Sequence, residues 1–260
     1  MCFAMNILPP FHNNLDYQMF SDLCLENSIE FRIVGGCSRD LILKRNSKDI
    51  DIAVNINIED FIKILDFKKI KYNPHAKNYG SIIVYLENRN IEVTSLRIDF
   101  NQSGRKTKIK FTSSWYEDSL RRDFTINAIY IDYFGKVYDF HNGIKDLKEQ
   151  RIQFIGEPLE KIQQDYLRIL RYYRMKGYFK NPVQNSKVEE EINQYLKKMT
   201  AEINKELLLR EIIKMQKMDY YKNCFFVNGT NTKLPWVEYL INYWKKINYK
   251  IGIQKCFKLL

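Results

Sequence analysis

Residues 32–54 have the sequence RIVGGCSRDLILKRNSKDIDIAV, and this stretch decides the fold. It predicts an apolar strand over residues 31–34, a Gly-Gly turn, a short helix that starts near Ser38, and a second strand that carries Asp49 and Asp51. The glycines let the backbone approach a ligand closely, and the start of the helix directs free N–H groups towards the same place. The turn is therefore a candidate phosphate-binding site.

The two aspartates of this stretch form a candidate metal site. Side chains two residues apart in a strand point to the same side, so Asp49 and Asp51 face one way while the isoleucines that alternate with them face a core. Two like charges on one side of a strand repel each other unless a cation lies between them. Mg²⁺ typically binds through one or two carboxylates together with phosphates of a substrate. A phosphate-binding turn beside such a pair predicts nucleotidyl transfer.

Length and charge limit the class of protein. The 260 residues are enough for one large or two modest domains. A formal net charge of +11 favours a polyanionic partner such as nucleic acid. The alternative is that a sequence rich in lysine, asparagine and isoleucine reflects only base composition.

Cysteine spacing and hydropathy indicate the cellular compartment in which the protein is expected. The five cysteines have no CxxC spacing, which argues against a zinc site or a disulfide framework and favours a reducing compartment. No apolar run approaches the length of a membrane span, and the N-terminus is unlike a signal peptide. We expect a cytoplasmic protein without a membrane partner, with an organelle as the alternative.

The strand, turn, helix and strand of residues 31–54 resemble the signature of the polymerase-β-like nucleotidyltransferase superfamily, in which a Gly-Gly or Gly-Ser turn precedes a DxD motif. With the Arg39-Asp40 pair after the glycines, the stretch also resembles a narrower group within this superfamily, the class II tRNA CCA-adding enzymes and bacterial poly(A) polymerases. The resemblance makes the two aspartates the Mg²⁺ ligands. It also implies phosphate binding by three residues: Gly35, Gly36 and Arg39.

A third acidic residue, Glu92, lies in a later predicted strand. Residues 81–86 and 91–96 are predicted to form two strands joined by a turn. A glutamate in a strand usually lies on a solvated face, but two-metal phosphoryl transfer needs a further carboxylate. The segment around Glu92 resembles the EVTxxR segment of the family, in which the acid completes the carboxylate set. We therefore predict Glu92 as the third catalytic carboxylate.

The stretch EDSLRRDFTINAIYID, residues 117–132, is the most distinctive in the chain. Arg121 and Arg122 can clamp a triphosphate through paired hydrogen bonds. Asn127 lies one helical turn past Asp123, at i,i+4, so both could reach the same ligand. The word RRDFTINA closely resembles the second hallmark of the family. This resemblance implies triphosphate and sugar binding by three residues: Arg122, Asp123 and Asn127.

Residues 161–176 have the sequence KIQQDYLRILRYYRMK, which is helical by periodicity. Asp165 and Arg168 are i,i+3 neighbours on one face, and in most proteins such a pair is only a surface salt bridge. Cytosine and adenine, however, both place an amino donor beside a ring-nitrogen acceptor. Uracil and guanine place a carbonyl at the position of the amino group. A carboxylate that accepts from the amino group and a guanidinium that donates to the ring nitrogen would therefore bind cytosine and adenine and reject uracil and guanine.

The same segment resembles the EDxxRxxR word of the family, which implies base recognition by Asp165, Arg168 and Arg171. One position departs from the pattern, because Gln164 replaces the first acid. The orienting charge that the acid would give to the arginine is thereby reduced to a neutral amide. This change bears on the switch from C to A more than on nucleotide binding.

The resemblance implies an α+β fold: a polymerase-β-like nucleotidyltransferase head with a small mixed, mainly antiparallel sheet, followed by an all-helical neck and body. We predict a catalytic head at residues 1–140, a helical neck with base recognition at 141–218, and a short helical body at 219–260 that could contact RNA. Members of the family usually continue into a longer helical body and tail, so we expect a shortened C-terminus.

The implied reaction is attack of an RNA 3′ hydroxyl on the α-phosphate of CTP or ATP, with release of pyrophosphate and without a nucleic-acid template. The expected primer is the 3′ end of tRNA, the expected cofactor is Mg²⁺, and Glu92 would position or deprotonate the hydroxyl. The basic segment 101–115 resembles a mobile loop that helps family members move from adding C to adding A. Alternatives are a bacterial-type poly(A) polymerase, a partial enzyme that adds only CC or A, and, least favoured, a non-catalytic RNA-binding module. Monomer and homodimer are both left open.

Overall fold

The computed structural model describes residues 6–45, 47, 50–103, 106–250 and 254. Asp49, one of the two predicted metal ligands, lies outside the described residues. The chain divides into two compact units, the first formed by Met1–Asn101 and Thr107–Leu147 and the second by Gln102–Lys106 and Lys148–Leu260. The boundaries that the sequence suggests at residues 140 and 218 stay predictions.

The first unit contains a mixed sheet. The strands of the described residues are β1 (Phe31–Ile33), β2 (Ile50–Val54), β3 (Tyr72–Asn73), β4 (Ser81–Tyr85), β5 (Asn90–Ser95), β6 (Arg97–Ser103), β7 (Lys106–Phe111), β8 (Ile129–Asp132) and β9 (Val137–Asp139). Seven of them form one sheet in the order β3-β4-β5-β2-β1-β8-β9, while β6 and β7 form a separate two-stranded sheet that overlaps the basic segment 101–115. In the larger sheet β2 and β5 are parallel and the other described pairs are antiparallel, which confirms the predicted mixed, mainly antiparallel sheet.

The helices fall on both sides of the boundary between the units. Those of the first unit are α1 (Leu15–Glu26), α2 (Gly35–Ile42), α3 (Ile58–Phe67), α4 (Trp115–Leu120) and α5 (Gly143–Lys148). Those of the second unit are α6 (Pro158–Gln164), α7 (Leu167–Lys176), α8 (Ser186–Gln194), α9 (Leu196–Glu202), α10 (Lys205–Gln216), α11 (Lys222–Phe225) and α12 (Pro235–Lys246). In the part of the chain that the structure describes, no helix combines the length and the apolar character that a membrane crossing requires.

The main core of the first unit covers one face of the large sheet. Alternate residues of β2, Ile50, Ile52 and Val54, are buried there together with residues of α1 and α3. Because side chains alternate along a strand, Asp51 lies on the opposite face, as the sequence predicts. The fold thus separates an apolar face, which stabilises the unit, from a face that carries acidic groups.

Helix α1 buries only two of the four residues that the sequence places on its apolar face. The pattern of apolar residues over residues 13–30 predicts that Leu15, Met19, Phe20 and Leu23 share that face. Leu23 is buried, but Leu15 is 71% and Met19 57% exposed, whereas Tyr17 and Phe20 are fully buried. Both aromatic rings make edge-to-face contacts with Phe31 of β1. Burial of two large rings outweighs burial of a leucine and a methionine, so the helix is rotated relative to the prediction.

Helix α2 begins at Gly35 and not near Ser38, so the prediction of its start is wrong by three residues. Gly35 has φ +72°, in the left-handed region that favours glycine, and the chain turns there directly from strand into helix. Ser38 holds the helix against the sheet, because its Oγ donates a hydrogen bond to the backbone oxygen of Ile129 at 2.7 Å. The turn is therefore shorter and more tightly fixed than the sequence suggests.

Candidate active site

Asp51 and Glu92 lie side by side on neighbouring strands. The parallel pairing of β2 with β5 places Asp51 directly opposite Glu92. Neighbouring strands are about 4.8 Å apart, and like charges directly opposite each other destabilise a sheet. A divalent cation relieves that repulsion, and carboxylate oxygens are the ligands that Mg²⁺ prefers. The donor set therefore fits a metal ion held on this face of the sheet.

The complete metal site is not defined by the described residues alone. Within the part of the chain that the structure describes, no group of three His, Cys, Asp or Glu side chains is placed to hold a metal ion. The predicted set needs Asp49, which lies outside that part. The roles of Asp49 and Asp51 as metal ligands and of Glu92 as a catalytic carboxylate stay predictions.

The Gly-Gly turn approaches Asp51 and two arginines. A Cβ atom added to Gly35 would lie 3.4 Å from Oδ2 of Asp51 and 4.0 Å from Nη1 of Arg122. A Cβ atom added to Gly36 would lie 3.8 Å from the same oxygen and 3.5 Å from Nη2 of Arg39. The structure thus brings five of the predicted site residues to one place. A carboxylate, two guanidinium groups and a bare backbone turn are an arrangement suited to a phosphate group with its metal ion.

Arg39, Asn127 and Asp123 are linked by hydrogen bonds. Nη1 of Arg39 donates to Oδ1 of Asn127. Nδ2 of Asn127 donates to Oδ1 of Asp123 at 3.1 Å, and all three side chains are buried. The helical turn predicted between Asp123 and Asn127 is wrong, because only a short 3₁₀ helix, Thr125–Asn127, is present there. The two side chains meet through this bond instead, since the extended backbone at Phe124 precedes the 3₁₀ turn.

Asp118 belongs to the candidate site through its contact with Arg122, and the sequence analysis did not identify it. It is fully buried and accepts hydrogen bonds from Nε of Arg121 at 2.8 Å and from Nη2 of Arg122 at 2.9 Å. It also accepts from the hydroxyl of Tyr130 at 2.8 Å and from the backbone N–H of Arg97 at 3.2 Å. The spacing of four between Asp118 and Arg122 at the end of α4 was the signal that could have found it.

The charge of Asp118 fixes the orientation of Arg122. Burial by itself would raise the pKa of the Asp118 carboxyl, but the positive charges of Arg121 and Arg122 outweigh it and hold this pKa well below its ordinary value. Burial raises the pKa of the Tyr130 hydroxyl, which therefore stays protonated and accepts from Nε of Arg122 at 3.0 Å while donating to Asp118. With Nε and Nη2 held in this way, Nη1 of Arg122 is the atom directed towards Gly35.

In the second unit, the helix predicted over residues 161–176 is interrupted at Asp165. This residue has φ −155° and ψ 104°, so α6 ends at Gln164 and α7 begins at Leu167. The Asp165 carboxylate accepts a hydrogen bond from the backbone N–H of Leu167 at 3.0 Å. The predicted i,i+3 pairing of Asp165 and Arg168 on one helix is therefore wrong, because an aspartate that bonds a nearby backbone N–H favours a helix start over a helix interior.

Arg168 forms a hydrogen bond with Gln164, the residue that replaces the first acid of the family pattern. Its Nη1 donates to Oε1 of Gln164 at 2.8 Å and to the backbone oxygen of Lys161 at 2.8 Å. The amide of Gln164 thus still orients this arginine although it carries no charge. Arg168 is buried, whereas Asp165 and Arg171 are half-buried. The base-recognition role of these three residues stays a prediction.

Comparison with known proteins identifies the first part of the chain. Residues 31–153 match the family model of the poly(A) polymerase head domain. This region is similar to the head domain of poly(A) polymerases, and we call it the head domain. The head domain includes the glycine turn, the paired carboxylates and the RRDFTINA segment, so the resemblance to CCA-adding enzymes and poly(A) polymerases is confirmed. Nucleotidyltransferases of this family generally use a divalent metal ion.

Relatives in sequence include CCA-adding enzymes. The chain is 35% identical over 179 residues to human mitochondrial CCA tRNA nucleotidyltransferase 1, a match that covers 67% of this chain and 41% of the relative. It is also 35% identical over 167 residues to the CCA-adding enzyme of Oceanobacillus iheyensis. This match covers 64% of this chain and 41% of that enzyme. The matched region is thus less than half the length of the curated relatives.

Solved structures of CCA-adding enzymes have the same fold. The CCA-adding enzyme of Bacillus stearothermophilus in complex with CTP matches with a TM-score of 0.68 and 26% identity, over 84% of this chain and 51% of that one. A tRNA nucleotidyltransferase complexed with a primer tRNA and an incoming ATP analogue matches with a TM-score of 0.62 at 22% identity, over 91% of this chain and 61% of that one. These matches confirm the predicted α+β architecture with a polymerase-β-like head.

Replacement of Asp118 by asparagine is predicted to destabilise the head domain in a pH-dependent way. Removal of one partner from a buried ion pair costs about 3–5 kcal/mol of unfolding free energy. Because the pKa of Asp118 is lowered by folding, this contribution is complete above the ordinary aspartate pKa of about 3.9 and is lost as the pH falls further. Urea unfolding of wild type and Asp118→Asn should therefore differ most at neutral pH and converge in acid.

The matched control is Asp60→Asn, which removes the partner of Lys63 in an exposed ion pair. This variant should unfold like the wild type at every pH. A difference between wild type and Asp118→Asn that stays constant from pH 7 into the acid range would contradict the assigned charge of Asp118.

Proposed function

We propose that this protein is a tRNA nucleotidyltransferase that adds C and A to the 3′ end of tRNA from CTP and ATP, without a nucleic-acid template and with release of pyrophosphate. The observation that carries the proposal is the pairing of Asp51 with Glu92 beside the Gly-Gly turn and Arg122. It is supported by relatives that are named as CCA-adding enzymes. The alternative of a non-catalytic RNA-binding module is less favoured, because Asp51 and Glu92 are both present and lie opposite each other on neighbouring strands.

Different residues of the head domain would have different roles in phosphoryl transfer. Gly35 and Gly36 leave room for a phosphate, and the Nη1 atom of Arg122 is directed to the same place. Asp49 and Asp51 would hold Mg²⁺, which when bound supplies positive charge that stabilises the transferring phosphoryl group. Glu92 lies next to Asp51, where its carboxylate can orient the 3′ hydroxyl of the RNA and accept its proton.

The second unit would select the base. Asp165 would accept a hydrogen bond from the exocyclic amino group of C or A, and Arg168 would donate to the ring nitrogen. Gln164 supports this role, because its amide oxygen and the Lys161 backbone oxygen both bind Nη1 of Arg168. A guanidinium that is already fixed binds a base more tightly than a mobile one, since less conformational entropy is lost on binding.

A bacterial-type poly(A) polymerase is the second candidate. The match of residues 31–153 to the poly(A) polymerase head domain is compatible with this activity as well as with CCA addition. Enzymes that add only CC or only A are further variants of the same reaction. The number and identity of the nucleotides added, and not the architecture of the head, distinguish these candidates.

The assay that tests the proposal uses the full chain, one labelled nucleotide at a time, and tRNA transcripts that lack the last three, two or one nucleotides. We expect C to be added twice and A once, after which incorporation stops. Chelation of the metal by EDTA should abolish incorporation, and Mg²⁺ should restore it. Unlimited addition of A would instead identify a poly(A) polymerase, and retained RNA binding without incorporation would identify a binding module.

Glu92→Gln is predicted to lower kcat about 10²–10⁴-fold, the usual contribution of a general base. The amide keeps the shape of the side chain, so the affinity for CTP should not change. The control is Glu87→Gln, in the exposed turn between β4 and β5, which should keep the wild-type kcat. Wild-type turnover by Glu92→Gln would show that Glu92 has no part in proton transfer.

Asp165→Asn is predicted to relax base choice. The amide oxygen of asparagine can accept the same hydrogen bond from the N–H of Leu167, so this bond is retained while the charge is lost. Incorporation of UTP and GTP relative to CTP and ATP should rise about 5- to 150-fold, which corresponds to the 1–3 kcal/mol that one good base contact contributes.

The control for this variant is Glu160→Gln on the preceding helix, which should leave the nucleotide preference unchanged. If Asp165→Asn kept the wild-type preference for C and A, the assignment of Asp165 to base selection would be wrong.

A further inference from the structure

The face of the sheet that carries the carboxylates continues from Glu92 to the edge strand. In the antiparallel pairing of β5 with β4, Glu92 lies opposite Ile83, and in the pairing of β4 with β3, Ile83 lies opposite Asn73. With Asp51 opposite Glu92, these residues form one row across four strands. Their side chains therefore share the face on which we place the chemistry.

A second row runs parallel to the first. Tyr85 lies opposite Asn90 of β5, and its backbone N–H donates to the backbone oxygen of Lys71 at 2.9 Å. Continuation of the β3–β4 register puts Lys71 opposite Tyr85, just before β3 begins. Because Tyr85 is two residues from Ile83, it has the same orientation as Ile83 and Glu92. Lys71 is exposed at the outer end of this row.

Two apolar side chains of β4 are left open to solvent on this face. Ile83 is 38% and Tyr85 is 40% exposed, whereas the alternate residues Ile82 and Val84 are buried in the core. We name Ile83, Tyr85 and Lys71 the primer strip. From Glu92 outwards, the face thus offers a carboxylate, an apolar surface with an aromatic ring, and a positive charge.

The turn between β4 and β5, next to the primer strip, is held by a hydrogen bond to helix α1. The backbone N–H of Asn88 donates to Oδ2 of Asp16 at 2.8 Å, and Asp16 is buried at 1% exposure. Within the turn, the N–H of Leu86 donates to the backbone oxygen of Arg89 at 2.9 Å. Because the strands and their turn are already ordered, a ligand that binds to the strip loses little free energy in ordering them.

We infer that the primer strip binds the 3′-terminal nucleotide of the RNA primer, an inference that rests on the proposed function. The ring of Tyr85 offers a surface on which a base can stack, and Ile83 offers an apolar contact next to it. The ammonium group of Lys71 attracts a backbone phosphate. A nucleotide bound in this way has its 3′ end beside Glu92, where the new bond is formed. The net charge of +11 favours the same polyanionic partner.

The test measures the affinity of the full chain for a fluorescently labelled, single-stranded RNA ending in a 3′ hydroxyl, without nucleotide. Tyr85→Ser is expected to raise the Kd about 5- to 150-fold, the range for loss of one base stacked on an aromatic side chain. Tyr85→Phe keeps the ring and should bind like the wild type. Lys71→Ala should weaken binding and reduce the slope of log Kd against log salt by about 0.7, the value for one phosphate contact in a single strand.

A second RNA makes the test specific for the terminal base. When the 3′-terminal nucleotide is abasic, the wild type and Tyr85→Ser should bind equally, because the base that stacks on Tyr85 is absent. Matched controls are Phe134→Ser, which removes an aromatic side chain that is 69% exposed in the β8–β9 turn, and Lys63→Ala, on the helix that packs against the other face. Both should keep the wild-type Kd.

The outcomes separate this inference from the proposed function. Wild-type affinity of both Tyr85→Ser and Lys71→Ala, with thermal unfolding like the wild type, overturns the primer strip whether or not the protein incorporates nucleotides. An equal loss of affinity by Tyr85→Ser for the intact and the abasic RNA also overturns it, because the ring would then not contact the terminal base. Weakened binding that depends on this base supports the strip, even if failure of the incorporation assay overturns the proposed reaction.

Discussion

The parallel pairing of β2 with β5 is the constraint on which the rest of the head domain depends. It is set into a sheet whose other described pairs are antiparallel, and its register places Asp51 opposite Glu92. A shift of one residue would turn Glu92 into the apolar core and bring Val93 to the site. Burial of the isoleucines and valines on the other face therefore stabilises the geometry of the carboxylates as well as the fold.

The second element of the site is a set of buried charges that orient one another. Asp118 is removed from water, which is favourable only because it accepts hydrogen bonds from Arg121, Arg122 and Tyr130. That arrangement directs one nitrogen of Arg122 towards the Gly-Gly turn. The polar core of the head domain thus holds a cationic group near the paired carboxylates, so that positive and negative charges lie close together beside the Gly-Gly turn.

Sequence patterns predicted four strands of the head, β1, β2, β4 and β5, because alternation of apolar and polar residues has one structural solution in a sheet that is buried on one face. The family resemblance predicted that Glu92 joins Asp51 in one set of carboxylates, but not that the two residues are direct neighbours, since strand order cannot be derived from alternation. Phe20 of α1 was predicted on the buried face, but the burial of Tyr17 was missed because periodicity does not weigh an aromatic ring against Leu15 and Met19. The break at Asp165 was missed because one side-chain bond to the N–H of Leu167 overrides a helical pattern. The resemblance to a family supplied the roles that composition alone could not give.

The central claim is that the carboxylates on this face hold a divalent metal ion. It is tested most directly by electron paramagnetic resonance of Mn²⁺, added in place of Mg²⁺ to the full chain with CTP, for the wild type, Asp51→Asn and the exposed control Asp22→Asn. The account predicts that Asp51→Asn weakens Mn²⁺ binding by more than about 10-fold, because even changes outside the first coordination shell cost 10–100-fold. Asp22→Asn should bind Mn²⁺ like the wild type. Equal affinity of all three proteins for Mn²⁺ would contradict the account.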